Sequence, residues 1–389
     1  MPATITFFPV DNGDMTLIEL ESGRKILIDM NIRVAADDDS DDTPDVAKKL
    51  RDRLKRDSSG RLIVDAFLLS HPDKDHCFGL ERHFHLGVPS DWSKEDDKIF
   101  IREIWSSPRV FRRASANNTL CPDAKAFNTE ARRRVKQFRE TNGVVGDGDR
   151  VLVLGEDTDG KTDDLGAILV KVDETFTKVN GQHDGSMVAR LLAPLPVSED
   201  EKEEDLLDKN HSSTILRFSL AGDGVSGACK FLTAGDAEVA IWERLWRRHE
   251  TRPEWLEYDV LLAPHHCSWH SLSYDSWGKL KEKVQVCQEA RNALSQAKKG
   301  AVIVASSKAI KDDDNDPPCI RAKREYLEIV DESAVRGEFK CVGEHPSEKA
   351  PDTMEFEIGR AGPRRKTKSM GAAAIVGAGA VGRQPLGHG

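Results

Sequence analysis

The sequence predicts an α/β fold, and three observations carry that expectation. Apolar runs of strand length recur along the chain, several of them end in Asp or His, and amphipathic stretches of helical period lie between them. In chain order, Thr4 to Val10 reads as a first strand and Lys25-Ile26-Leu27-Ile28 as another, which delivers Asp29. Val64 to Leu69 is a buried strand, and Asp123 to Glu140 a helix with Ala126, Phe127, Ala131, Val135 and Phe138 on one side. Phe231-Leu232-Thr233-Ala234 leads to Gly235-Asp236, and Asp259 to Ala263 leads to Pro264-His265-His266. Beyond these, Leu272 to Lys299 reads as mostly helical, Ala301 to Lys308 as a last core strand, Asp312 to Pro318 as a turn, and Ile320 to Val330 as a helix.

The chemistry concentrates at the strand ends. Directly after the Val64–Leu69 run, Ser70-His71-Pro72-Asp73-Lys74-Asp75-His76 packs two histidines and two aspartates into six consecutive positions. Carboxylates are seldom buried unless paired or metal-bound, and two in one tight loop repel without a cation between them. A solvated polar turn would explain any one of these residues. It does not explain all four together with Asp236 and the His265-His266 pair at other strand tips, a mixture of oxygen and imidazole donors that suits zinc or manganese. Ligand sites at the carboxyl ends of strands are the rule in open α/β sheets.

These segments in this order resemble the metallo-β-lactamase fold superfamily, and more narrowly its branch that includes the nuclease-like domain of the ComEC competence DNA-uptake channel. The resemblance rests on Val10 to Asp14, Ile26 to Asp29, Ser70 to His76, Asn210 to Leu216, Leu232 to Glu238 and His265 to Ser268, and spans about residues 5–326. It implies an αββα sandwich, two mixed sheets flanked by helices, with 1–362 as one hydrolase domain, 82–207 as an inserted region and 363–389 as a flexible Gly/Ala-rich tail.

The resemblance also implies two divalent ions, Zn²⁺ or Mn²⁺. His71 and Asp73 would hold the first, Asp75 and His76 the second, with Asp236 between them. His266 would complete the second set and leave His265 as an outer group or proton donor. For the first set, Asn210 matches the branch while the neighbouring His211 is the better donor. Asp14 and Asp29 would orient the histidines, Asp75 would orient the attacking hydroxide, and Ser268, Ser307 and Lys308 would lie near substrate. Asp73 stands where most of the superfamily has histidine, Phe78 where it has glycine, and Cys267 where a glycine follows the paired histidines. The last two are expected to reshape the mouth of the site.

Composition narrows the setting. The chain has 389 residues, 57 basic and 67 acidic, for a net charge of −10. Nucleic-acid binders usually carry net or local positive charge. Local compensation would have to come from Arg109, Arg112 and Arg113 and the Arg132–Arg139 face of the helix, unless nearby acids balance that face. No apolar run approaches the ~20 residues of a membrane span. Seven cysteines without a Cys-x-x-Cys pair fit a reducing, cytoplasmic compartment, with Cys77 and Cys267 read as buried hydrophobes. Asp37 to Asp42 and Ser198 to Asp208 read as acidic loops. The expectation is a stand-alone metal-dependent phosphodiesterase or nuclease acting on DNA or another nucleotide substrate. The alternatives are a hydrolase of a small ester, amide or cyclic nucleotide, and an interaction component with protein partners in a multi-gene defence system.

Overall fold

Apolar runs set the strands, and the strands set everything else. The computed structural model describes residues 2–38, 40–117, 119–196, 212–332 and 334–366, backbone only over 113–117. The first sheet runs β7-β6-β5-β4-β3-β2-β1-β15-β16. Its members are β1 (Ala3–Phe7), β2 (Thr16–Glu19), β3 (Lys25–Ile28), β4 (Leu62–Leu68), β5 (Ile99–Ser106), β6 (Arg150–Leu154), β7 (Leu169–Val170), β15 (Met354–Gly359) and β16 (Gly362–Arg365). The second runs β8-β9-β10-β11-β12-β13-β14, with β8 (Thr175–Phe176), β9 (Met187–Ala193), β10 (Ile215–Gly222), β11 (Val225–Leu232), β12 (Tyr258–Leu262), β13 (Ala297–Ala305) and β14 (Glu338–Cys341).

Each sheet is mixed in the same way. Hairpin-connected antiparallel strands pass into a parallel run, β3 to β7 in one sheet and β11 to β14 in the other. Parallel strands are buried on both faces, so they read as unbroken apolar runs. In β3, Ile26 and Ile28 enter the core between the sheets while Leu27 enters the outer core. In β12, Val260 and Leu262 face inward and Leu261 outward. Phe7 packs edge-on to Phe231 of the opposite sheet at 5.9 Å. Each such fully buried side chain contributes roughly 1.5–3 kcal/mol.

Helices cover both outer faces, which gives four layers. Over the first sheet lie α1 (Pro108–Asn117) and α2 (Pro122–Glu140), and α2 buries Ala124, Phe127 and Ala131. Over the second lie α3 (Val239–His249), with Trp242 and Leu245, and α4 (Ile320–Asp331), with Tyr326 and Ile329. This is the sandwich of two mixed sheets flanked by helices that the sequence predicts.

Several local expectations are corrected. Residues 272–299 are not mostly helical; only Trp277–Leu280 and Gln288–Leu294 are α-helical, and β13 already starts at Ala297. Ser273 Oγ donates to Gln285 O, and Gln285 N donates to Asp275 Oδ2, so side chains take the backbone groups a helix would need. The 82–207 stretch, expected as an inserted region, supplies β5 to β9 and so extends both sheets. The sheet also continues through Arg365, three residues into the expected tail, because Pro363 pairs with Ile358 and Arg365 with Phe356. The rest of the tail, residues 367–389, and the 198–208 stretch lie outside the described residues. No helix among the described residues is long and apolar enough to cross a membrane.

Candidate metal centre

The parallel arrangement brings the carboxyl ends of β3, β4, β11 and β12 to one edge. Asp29 follows β3, Ser70 and His71 follow β4, Asp236 follows β11, and His265 and His266 follow β12. The chain turns there by unusual backbone geometry. Asp29 has φ 55°, and His265, His266 and Cys267 lie in succession at φ 50°, 51° and 69°. Left-handed conformations cost a non-glycine residue roughly 1–2 kcal/mol each, and such strain clusters where side chains must be aimed. Gly13 permits a second close approach: a Cβ there would lie 2.7 Å from the carbonyl oxygen of Asp75.

Two donor sets converge on one carboxylate. Asp236 Oδ1 lies 3.1 Å from His76 Nε2 and 3.5 Å from His266 Nε2. The two imidazole nitrogens are 3.3 Å apart, and His266 Nε2 is 3.2 Å from Asp75 Oδ2. On the other side, Asp236 Oδ2 lies 3.3 Å from His71 Nε2, which is 3.9 Å from Asp73 Oδ2. A tetrahedral ion with ligands at about 2.1 Å sets them about 3.4 Å apart. His76, His266 and Asp236 have that spacing, and Asp75 adds a further carboxylate oxygen 3.2 Å from His266 Nε2. His71 Nε2 and Asp236 Oδ1 are buried and have no hydrogen-bond partner among the described residues, which is rare without a ligand for them. The residues present fit a divalent cation.

All three inner histidines turn Nε2 toward the centre; the Nδ1 atoms of His71 and His76 are held from behind by hydrogen bonds, and that of His266 faces Asp14. His76 Nδ1 lies 3.0 Å from Asp29 Oδ2. Asp29 also accepts from Ser70 N at 2.7 Å and from Ser70 Oγ at 2.6 Å. With its proton given to Asp29, the Ser70 hydroxyl accepts from His71 Nδ1 at 3.1 Å. Asp14 sits 3.5 Å from His266 Nδ1 and 3.9 Å from His76 Nδ1. Asp14 is buried beside the same histidines, but it faces their outer nitrogens. That is where an orienting carboxylate belongs rather than a ligand.

The electrostatics follow from the crowding. Burial alone would lower the His76 pKa, but Asp236 and Asp29 outweigh it and hold it well above the ordinary value. For His266, Asp236, Asp14 and Asp75 outweigh burial and raise the pKa to about 10. Burial pushes Asp236 up, and His76, His265, His266 and His71 hold it well below the carboxylate range. In the metal-free chain His76 and His266 are therefore protonated at neutral pH, and a cation must displace those protons. The His266 contribution to metal-free stability is fully present below its ordinary value of 6.5 and lost as pH rises through about 10. Metal loading has the opposite sign: affinity rises with pH, and binding at pH 7.5 releases protons. Titration calorimetry in buffers of different ionisation enthalpy measures that release; zero protons would contradict the geometry.

The remaining sequence-derived residues are placed as follows. His265 is at the edge of the centre, with Nε2 3.6 Å from Asp236 Oδ2 and Nδ1 3.7 Å from Glu238 Oε1. Ser268 and Ser307 are buried, and their hydroxyls donate to Asp316 Oδ1 at 2.6 Å and to Lys308 O at 2.9 Å. They are spent on the fold rather than open to a substrate. Lys308 lines a cavity with Asp11 and Lys311. Asn210 and His211 lie outside the described residues. Cys77 and Cys267 are fully buried, as their reading as small hydrophobes has it. Cys267 lies in the outer core with Trp269, Cys319 and Tyr326 and so does not shape the mouth, while Phe78 carries the Lys74 ammonium over its ring at 4.5 Å.

Sequence reasoning gave no role to Ser70, Ser213 or Glu238. Asp236 N donates to Ser213 Oγ at 3.0 Å. The Asp-x-Glu spacing of 236 and 238 was the one available signal for Glu238.

Cys77, next to His76, has its Sγ 3.5 Å from that of Cys121. The Cys77 hydrogen bond outweighs burial and, with the Ala124 amide, brings the Cys121 thiol down to about 7. Its own bond to Cys121, and then burial, push the Cys77 thiol up. Iodoacetamide should therefore modify Cys121 before Cys77, at a rate that climbs through pH 7 and levels off above it. Peptide mapping by mass spectrometry reads the order, and prior modification of Cys77 would refute it.

The expected basic rim is largely neutralised. Arg134 is buried against Glu130 at 2.7 Å, Arg133 pairs with Glu130 and Asp149 at 2.8 and 2.6 Å, and Arg109 donates to Glu156 O and Leu195 O. Long arginines on a helix face reach acids the linear pattern does not show.

No family model matches the chain, and no curated protein matches it. Among solved structures the chain is similar to Igni18, described as a novel metallo hydrolase from the hyperthermophilic archaeon Ignicoccus hospitalis KIN4/I. The two are 10% identical over 91% of this chain and 99% of that one, with a TM-score of 0.34. At that score the likeness carries no weight, and the fold rests on sheet order alone. Two mixed sheets between helical layers, with His and Asp gathered at the strand tips, make a metallo-β-lactamase-like sandwich around a buried cluster suited to metal.

Proposed function

We propose that this chain is a metal-dependent hydrolase that cuts phosphodiesters, with DNA or another nucleotide as substrate. The observation that carries the reading is the Asp236 carboxylate, which turns Oδ2 to His71 at 3.3 Å and Oδ1 to His76 at 3.1 Å. His71 and Asp73 would hold one ion, Asp75, His76 and His266 a second, and Asp236 both. When bound, such a pair acidifies a water and neutralises charge on a phosphoryl group.

The chain's own groups do the rest. Asp75, 38% exposed against 3% for Asp236, is the donor most open to solvent and orients the attacking water. His265, with Nε2 3.6 Å from Asp236 Oδ2 at the edge of the centre, is the group that would give a proton to a leaving oxygen, and Glu238 lies 3.7 Å from its Nδ1. Asp29 and Asp14 keep the inner imidazoles in one tautomer. The oxygen-rich donors Asp73, Asp75 and Asp236 favour manganese or zinc over softer ions.

One observation favours a second reading, a small phosphodiester such as a cyclic nucleotide. The arginines that would track a polymer are largely paired with acids, among them Arg133 with Asp149 and Arg134 with Glu130. The test is metal analysis of the purified chain, then incubation of single- and double-stranded DNA and of cyclic mononucleotides with Mn²⁺, Mg²⁺ and Zn²⁺. Cleavage lost in Asp75→Ala supports the proposal. Less than one ion per chain with no cleavage of any substrate would sink it.

A further inference from the structure

A cavity of about 660 Å³ lies away from the ligand set, between α1, α2, the end of β6 and the turn at 158–165. Its floor is apolar, built from Phe111, Ala131, Val135, Val151, Val153 and Leu165. Its lining carries five cations, Arg112, Arg132, Lys136, Arg139 and Lys161, against two acids, Asp157 and Asp164. Asp159, just outside the lining, holds Lys161 Nζ at 2.9 Å, so Arg132 and Lys136 are the lining cations with the weakest compensation.

The two acids preset the cations rather than cancel them. Asp157 accepts from Arg112 Nε at 2.8 Å and Nη2 at 2.5 Å, and Asp164 accepts from Arg139 Nε at 2.6 Å and Nη2 at 2.8 Å. Both guanidiniums are thus held in place at the rim by their Nε/Nη2 edges, which lowers the entropic cost of a further contact to an anion. Arg132 is exposed and makes no ion pair among the described residues. Lys136 has only Glu140 at 3.6 Å, with both side chains more than half exposed.

We infer that this cavity binds a phosphorylated ring compound of mononucleotide size. The volume lies within the range of ligand cavities, ~300–1,000 Å³. The apolar floor takes the ring. Cations on three different elements surround it, so the ligand carries its charge in an extended group, and the Arg132 guanidinium, which makes no ion pair among the described residues, matches phosphate oxygens. An acyl chain with one head group would leave most of the rim unsatisfied. The inference goes beyond the metal centre and does not depend on what that centre hydrolyses.

Titration calorimetry on the full chain, with the nucleoside diphosphates of A, G, C and U, inorganic phosphate and adenosine, tests it. At least one diphosphate should bind tenfold or more tightly than phosphate or adenosine, and weaken as salt rises. Arg132→Glu/Lys136→Glu, two exposed positions whose variants should fold with unchanged circular dichroism, should lower that affinity at least tenfold. Asp236→Asn should leave it intact, which separates this site from the metal centre. The inference is overturned if no diphosphate saturates, if charge reversal leaves the affinity unchanged, or if Asp236→Asn abolishes binding.

Discussion

Asp236→Asn should empty both halves of the metal centre at once. The carboxylate is buried and faces His71 through one oxygen and His76 and His266 through the other. Asparagine keeps the shape but removes the charge and turns an amide NH₂ toward one donor set. Loss of a carboxylate that holds His ligands from behind already costs 10–100-fold in metal affinity, so a shared donor should cost more than ~100-fold. Metal content measured by inorganic mass spectrometry should fall below half an ion per chain. Asp73→Asn, which touches only the His71 side, should lose one ion and keep the other. The same Asp236 variant should also release fewer protons on any residual binding, because His76 and His266 lose the charge that keeps them protonated. Full metal content in Asp236→Asn would rule out the shared-carboxylate geometry.

Asp29→Ala should be the most destabilising change outside the ligands. Its carboxylate accepts from Ser70 N and Oγ and faces His76 Nδ1, all buried. Removing it leaves three buried polar groups unpaired, and breaking a buried charge network from one side costs about 3–5 kcal/mol. His76 loses the partner that fixes its tautomer, so metal affinity should fall about 10–100-fold as well. Part of the stability loss could come from backbone, since Asp29 is left-handed at φ 55°. Asp29→Asn separates the two: asparagine tolerates that conformation and keeps an acceptor for Ser70. It should recover about half the stability while His76 orientation and metal affinity stay impaired. Urea midpoints and metal titration of the three proteins check this; an unchanged midpoint in Asp29→Ala would refute it.

The sandwich was legible because its central strands are parallel and buried on both faces, so they appear as uninterrupted apolar runs ending in Asp or His. Ser70 to His76 needed no tertiary information. What stayed hidden depends on contacts between distant residues. The Arg132–Arg139 face reads as uniformly basic, but Arg133 and Arg134 at its centre are taken by Glu130 and Asp149. The 272–299 stretch has helical composition, yet Ser273 and Asp275 divert its backbone groups to Gln285. None of these competitions leaves a periodic signal.

The position of the centre has a consequence for how the protein is made. His71 and His76 belong to the first sheet, Asp236 and His266 to the second, and His76 and His266 are 190 positions apart. On a ribosome, the first sheet's donors emerge while the second sheet does not yet exist. A nascent chain halted before Asp236 carries half a coordination shell and cannot retain an ion against solvent. Capture of metal is thus confined to chains whose two sheets have both been synthesised and docked. A product truncated before Asp236 would lack half of the donors, and an ion held by the complete set would clasp the second sheet to the first.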